Sequence, residues 1–102
     1  MIGTRTETHD ADADLDYGWD LTTWLPTDDD TPDTIQSVTA ELYPATAGTV
    51  HGVTVVDSGH QVVAWVKDLT DDAILIFHVT TTAGRKDDAH VELLLEDRDP
   101  TA

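Results

Sequence analysis

The chain has 102 residues, 39% of them hydrophobic, and no cysteine; that bounds it to one domain with one modest core and excludes a disulfide framework or a thiolate site. Acidic residues outnumber basic ones 21 to 5, for a formal net charge of −16, and a chain that repels phosphate so strongly is not expected to bind nucleic acid. No apolar run approaches the roughly 20 residues of a membrane helix, and the N-terminus lacks the apolar core of a signal peptide, so a soluble protein with no membrane contact is expected.

Residues 1–13 are polar, charged and without periodicity, which predicts an extended N-terminal arm held only by something outside the domain. From Leu15 to Leu21 the apolar residues Leu15, Tyr17, Trp19 and Leu21 recur with a period of two. That pattern predicts a first strand, with a turn or short helix over 22–25 stopped by Pro26. An acidic loop, TDDDTP, follows at 27–32. Over 33–43, Val38, Ala40 and Leu42 line one face of a second strand; Ile35 is out of phase, so either a bulge or a start on another sheet is expected. Residues 44–48 form a turn, and 50–56 a third strand broken by Gly52. Asp57-Ser58-Gly59 supplies a tight turn. Residues 61–66, QVVAWV, and 73–79, AILIFHV, are the next strands, and 90–97 the last. The final pair reads as a hairpin. Closed symmetrically about Gly84 and Arg85, it places Phe77 opposite Val91, Leu75 opposite Leu93 and His78 opposite His90.

Six to seven short strands, with turn signals every eight to twelve residues and no helical period, predict an all-β fold, an Ig-like antiparallel β-sandwich over 14–98, with a frayed tail at 99–102. An up-and-down barrel is the second choice. Trp65, on a central strand, is expected as the core tryptophan. Residues 62–66 and 74–77 are apolar without alternation, whereas a strand of a two-layer sandwich meets water on one face. Either other parts of the chain cover these strands or a partner does, and the second option implies an oligomer or an assembly.

The acids recur at loops throughout, at Asp28, Asp29 and Asp30, at Asp71 and Asp72, and at Asp87 and Asp88. Self-repulsion on this scale is screened in molar salt, where the Debye length falls to about 3 Å, and the composition points to a halophilic (haloarchaeal) host. Sites for chemistry are weak. Asp28, Asp29, Asp30 and Asp33 offer carboxylates to a hard cation such as Ca²⁺, but no Gly makes the bend and no Glu closes the loop, so a solvated acidic loop is expected. His78 and His90 with Glu92 lack a further fixed metal ligand. Ser58 and His60 straddle a glycine without a nucleophile elbow. Arg85, beside Asp87 and Asp88, is expected either to order its loop by a salt bridge or to meet a partner. No enzyme, no cofactor and no metal are expected.

Three stretches, LDYGWDLTTWL at 15–25, DTIQS at 33–37 and HVTTTAGRKDDAHVELLLEDR at 78–98, together resemble a family of small phage proteins labelled fibre or virion structural proteins. Those proteins carry L-D-Y-x-x-D-W-x-x-W-L, then D-T-I, then T-x-x-G-R-x-D before a last strand. The matching positions are Leu15, Asp16, Tyr17, Asp20, Trp24, Leu25, Asp33, Thr34, Ile35, Gly84, Arg85 and Asp87. Leu21 departs from the pattern, which has an aromatic there, and residues 60–66 lack the Gly-rich turn expected of the family. The resemblance implies a non-enzymatic protein of the virion, acting in head or tail assembly or capsid decoration by packing against other capsid or tail proteins and against copies of itself. The expected contact residues are Trp19, Trp24, Leu25, Ile74, Ile76 and Arg85, with Glu92, His78 and His90 at the rim. The competing class is a free-standing Ig-like binding or adhesion module for a host-surface or carbohydrate ligand, which would need Trp19 and Trp24 as an exposed aromatic cluster.

Overall fold

A computed structural model of the protein describes residues 2–10, 13–25, 33–56 and 59–96. Among them run seven strands, β1 (Gly3–Asp10), β2 (Leu15–Asp20), β3 (Ile35–Tyr43), β4 (Thr49–Val56), β5 (Gln61–Lys67), β6 (Ala73–Thr81) and β7 (Lys86–Glu96), with a 3-10 turn at Ala45–Ala47 between β3 and β4. They form a four-stranded sheet in the order β1-β7-β6-β3 and a three-stranded sheet in the order β2-β5-β4. In the constant-type immunoglobulin order the sheets read ABED and CFG. Here β2, β5 and β4 take the places of B, E and D, while β3, β6 and β7 take those of C, F and G. Strand β1 has crossed to the far edge, where it pairs parallel with β7. The fold is an all-β Ig-like sandwich.

Alternation decides which side chains go inside. Ala73, Leu75, Phe77 and Val79 on β6, Ala89, Val91 and Leu93 on β7, and Val62, Ala64 and Val66 on β5 are all buried, because successive side chains of a strand point to opposite faces. A buried side chain of this kind contributes about 1.5–3 kcal/mol relative to exposure. The period-two run of β2 falls opposite the inward residues of β5, with Tyr17 paired to Ala64 and Trp19 to Val62. Of the two alternatives for Ile35, the strand adopts the bulge: the β3–β6 register shifts between Ile35 and Ser37, which brings Ile35 inside with Leu42. In β4 the register shifts between His51 and Thr54, where Gly52 takes φ +61° and lets the Trp65 ring lie where a Cβ would be 2.7 Å from its Cδ1.

Three expectations are corrected. Residues 3–10 are not an arm held from outside but β1, in register with β7 from Gly3↔Ala89 to Asp10↔Glu96. Its polar sequence follows from its place at a sheet edge, where most of its side chains are not required to pack. The β6–β7 hairpin is shifted by two residues, with Phe77 opposite Ala89, Leu75 opposite Val91 and His78 opposite Asp88. Thr81 N–H donates to the Arg85 carbonyl at 2.8 Å and Gly84 N–H to the Thr81 carbonyl at 3.0 Å, with Gly84 at φ +93°. A shift of two leaves every side chain on its face, so the core is as expected while the cross-strand partners change. Trp65 is not the core tryptophan. It is 38% exposed, because Val62, Ala64 and Val66 already occupy the inner face of β5, and it lies on the outer face near the His51 ring at 6.1 Å.

Candidate partner-binding site

The pieces of the D-T-I and T-x-x-G-R segments, nearly fifty residues apart in sequence, meet at one end of the sandwich. Asp33, 7% exposed, uses Oδ1 to accept from the N–H of Thr34 and from the N–H of Ala83, both at 3.0 Å. Thr82 N–H donates to the Thr34 carbonyl at 2.8 Å, and the Thr34 and Thr82 hydroxyls are 2.9 Å apart. Arg85 N–H donates to Thr81 Oγ1 at 3.0 Å. The Asp33 Oδ2 atom receives no well-aligned hydrogen bond and faces Arg85 Nε at 4.0 Å. The Thr81 hydroxyl first, then the Ala83 and Thr34 N–H groups and the Arg85 charge, hold the Asp33 carboxyl below the usual carboxylate range. Arg85 thus orders its loop against Asp33 rather than against Asp87 or Asp88, and Asp33 is taken up by this clasp. The other acids of the candidate Ca²⁺ loop, Asp28, Asp29 and Asp30, lie outside the described residues, as does Ser58.

The turn after β2 sits at the same end. Asp20 Oδ1 accepts from Thr22 N–H at 2.9 Å and from Thr22 Oγ1 at 2.6 Å, an Asx turn. Leu21 carbonyl then accepts from Trp24 and Leu25 N–H at 3.0 and 2.9 Å. Leu25, expected at a partner contact, is 4% exposed and belongs to the core. Trp24 is half-buried against that core. Trp19 is half-buried under Arg5, whose guanidinium carbon lies 5.0 Å from the ring centre while its Nη2 donates to the Gly18 carbonyl at 2.8 Å.

Ile74 and Ile76 are together on the outer face of the β1-β7-β6-β3 sheet, half-buried. Ile76 lies between Glu41 on β3 and His90 on β7, and Ile74 between Tyr43 and Glu92. This neighbourhood covers the isoleucines only in part. Tyr43 is 69% exposed and Leu94 43%, and with Ile74 they wall a hollow of about 320 Å³ bordered by Asp72 and Glu92. Farther up the same face, His78 Nδ1 is 2.7 Å from Asp88 Oδ1 and Nε2 is 3.3 Å from Glu41 Oε1. A carboxylate at each ring nitrogen suits an imidazolium that donates from both, and the hydrogen bond to Asp88, with Glu41 adding to it, raises the His78 pKa. This is an ion-pair cluster, and His90 is not part of it. No group of three or more His, Cys, Asp or Glu side chains among the described residues is arranged to hold a metal ion.

Sequence reasoning named the two isoleucines but missed Tyr43 and Leu94. The signal available for them was position, since each falls at the end of a strand and on its outward face once the register is known. No curated protein matches the chain. Residues 9–94, from the end of β1 to near the end of β7, match the family model of the Podophage GP4 fiber-tail adaptor protein gp77. With that match spanning almost the whole sandwich, the chain belongs to this family, a structural component of the virion of a tailed virus.

Proposed function

We propose that this protein joins fibre to tail in its virus particle, holding the two by packing against other virion proteins, with no chemistry of its own and no contact with nucleic acid or membrane. The observation that carries the reading is the family match over residues 9–94. The partly covered outer face around Ile74 and Ile76 supports it, because apolar surface left in water favours association by about 25 cal/mol per Å² buried. The net charge of −16 supports a particle built for high salt, where self-repulsion is screened. The reading as a free-standing binding module is less well supported: Trp19 lies under Arg5 and Trp24 packs against the core, so the two make no exposed aromatic platform. Particles assembled in cells lacking this chain test the proposal. Complete tails without fibres are expected, and particles that still carry their fibres would overturn it.

A further inference from the structure

The hollow on the outer face has a chemistry that selects its occupant. Its wall is apolar, made by Tyr43, Ile74 and Leu94, and its border carries Asp72 and Glu92. Asp72 is held in place by accepting the Leu95 N–H at 2.8 Å, and among the described residues Glu92 receives only the Thr6 hydroxyl, at 3.5 Å. Neither carboxylate is paired with a cation among the described residues, whereas Glu41 and Asp88 on the same sheet share His78. We infer that the hollow is the docking seat for a segment of a different virion protein, one that inserts an apolar side chain between Tyr43, Ile74 and Leu94 and sets a Lys or Arg against Glu92 and Asp72.

A volume of about 320 Å³ admits one large side chain, the anchor-in-a-pocket form that dominates binding energy at interfaces. The bordering carboxylates make a cation the complementary neighbour and a carboxylate the excluded one. A second copy of this chain is the wrong occupant. It brings 21 acidic residues and only 5 Lys and Arg, of which Arg5 is engaged with Trp19 and Gly18 and Arg85 faces Asp33. Molar salt does not remove the selection, since screening to about 3 Å spares a contact pair and salting-out strengthens the apolar seat.

The inference rests on the reading of the chain as a fibre–tail joint, and the test separates the two. A photoreactive benzoylphenylalanine replaces Tyr43, an exposed position where the fold does not depend on the side chain, and a second variant carries it at Trp65 on the opposite sheet. Purified particles are irradiated, and the cross-linked peptides are read by mass spectrometry. Adducts from position 43 to a fibre or tail protein, in a segment with Lys or Arg within a few residues of the adduct, are expected, with few from position 65. Adducts only to a second copy, or none from particles containing the variant at the normal level, overturn the docking seat and leave the joint standing. Absence of the chain from purified wild-type particles overturns both. In parallel, Glu92→Lys with an unchanged melting temperature is expected to weaken binding of the cross-linked protein by about tenfold or more; unchanged binding would contradict the role of the acidic border.

Discussion

His78 has a carboxylate at each ring nitrogen, Asp88 at 2.7 Å and Glu41 at 3.3 Å, and its pKa is raised chiefly by the hydrogen bond to Asp88. A raised folded value means that the cluster's contribution to stability is complete below the unfolded histidine value of about 6.5 and is lost as pH rises through the higher folded value. Melting temperatures in constant molar salt should therefore fall for the wild type relative to His78→Gln as pH rises from the unfolded value of about 6.5 through the higher folded one. Parallel curves for the two proteins would show that the cluster adds nothing to stability. Asp33 has the opposite sign, with a lowered pKa, so its contribution is present above the unfolded carboxylate value and lost as pH falls through the folded one. The hairpin expected from the sequence set His78 opposite His90, whereas its cross-strand neighbour is Asp88. A loop of this length leaves a two-residue ambiguity that face patterning cannot remove, and only the hydrogen bonds of the turn between Thr81 and Arg85 resolve it. Asp33 and Arg85 were both visible as motif residues. Their meeting was not, because it depends on the pairing of β3 with β6.

At the scale of the element, β2 and β3 were legible from alternation and β5 and β6 from their β-branched apolar runs, and β1 was not. GTRTETHD has no apolar alternation, because β1 is an edge strand fastened by polar contacts. His9, fully buried, bridges the two sheets' edges. Its Nε2 lies 3.1 Å from the Ala13 carbonyl, which only accepts, so the proton is on Nε2 and Nδ1 accepts from the Tyr17 hydroxyl. Burial first, then the Glu7 and Asp16 carboxylates, pushes the Tyr17 phenol up to about 12, which keeps that hydroxyl a donor. Tyr17→Phe strands the His9 nitrogen without its partner, at a cost of about 1–3 kcal/mol. Urea unfolding should show a lower midpoint at unchanged slope, and hydrogen exchange should quicken in β1 before the rest of the molecule. An unchanged midpoint would mean that water replaces the hydroxyl and that β1 is held by its ladder with β7. The unbroken apolar runs of β5 and β6 were the other point of ambiguity. Their inner faces are core, and their outer faces are only partly covered, on β6 by neighbours such as Glu41 and His90 and on β5 by Asp16 and His51 beside Trp65, an intermediate outcome that composition cannot distinguish from full cover.

At the scale of the molecule, a charge of −16 on 102 residues opposes compaction wherever the Debye length exceeds the spacing between carboxylates. Raising KCl from about 0.01 M to 1 M shortens that length from about 30 Å to 3 Å, so the melting temperature should climb with salt, most steeply at the low end. A flat or falling curve would remove the basis for a halophilic setting. The clasp of Asp33 with the β6–β7 loop lies at one end of the sandwich, and the hollow of Tyr43, Ile74 and Leu94 lies toward the other, on the outer face. A joint between two neighbours has room for both. The most direct measurement is add-back. Particles lacking this chain are mixed with the purified wild-type protein and free fibres, and the fibres per tail are counted by electron microscopy. The account predicts that wild-type protein restores fibres while a folded Leu94→Glu variant does not. Fibres that attach equally well without the protein would contradict it.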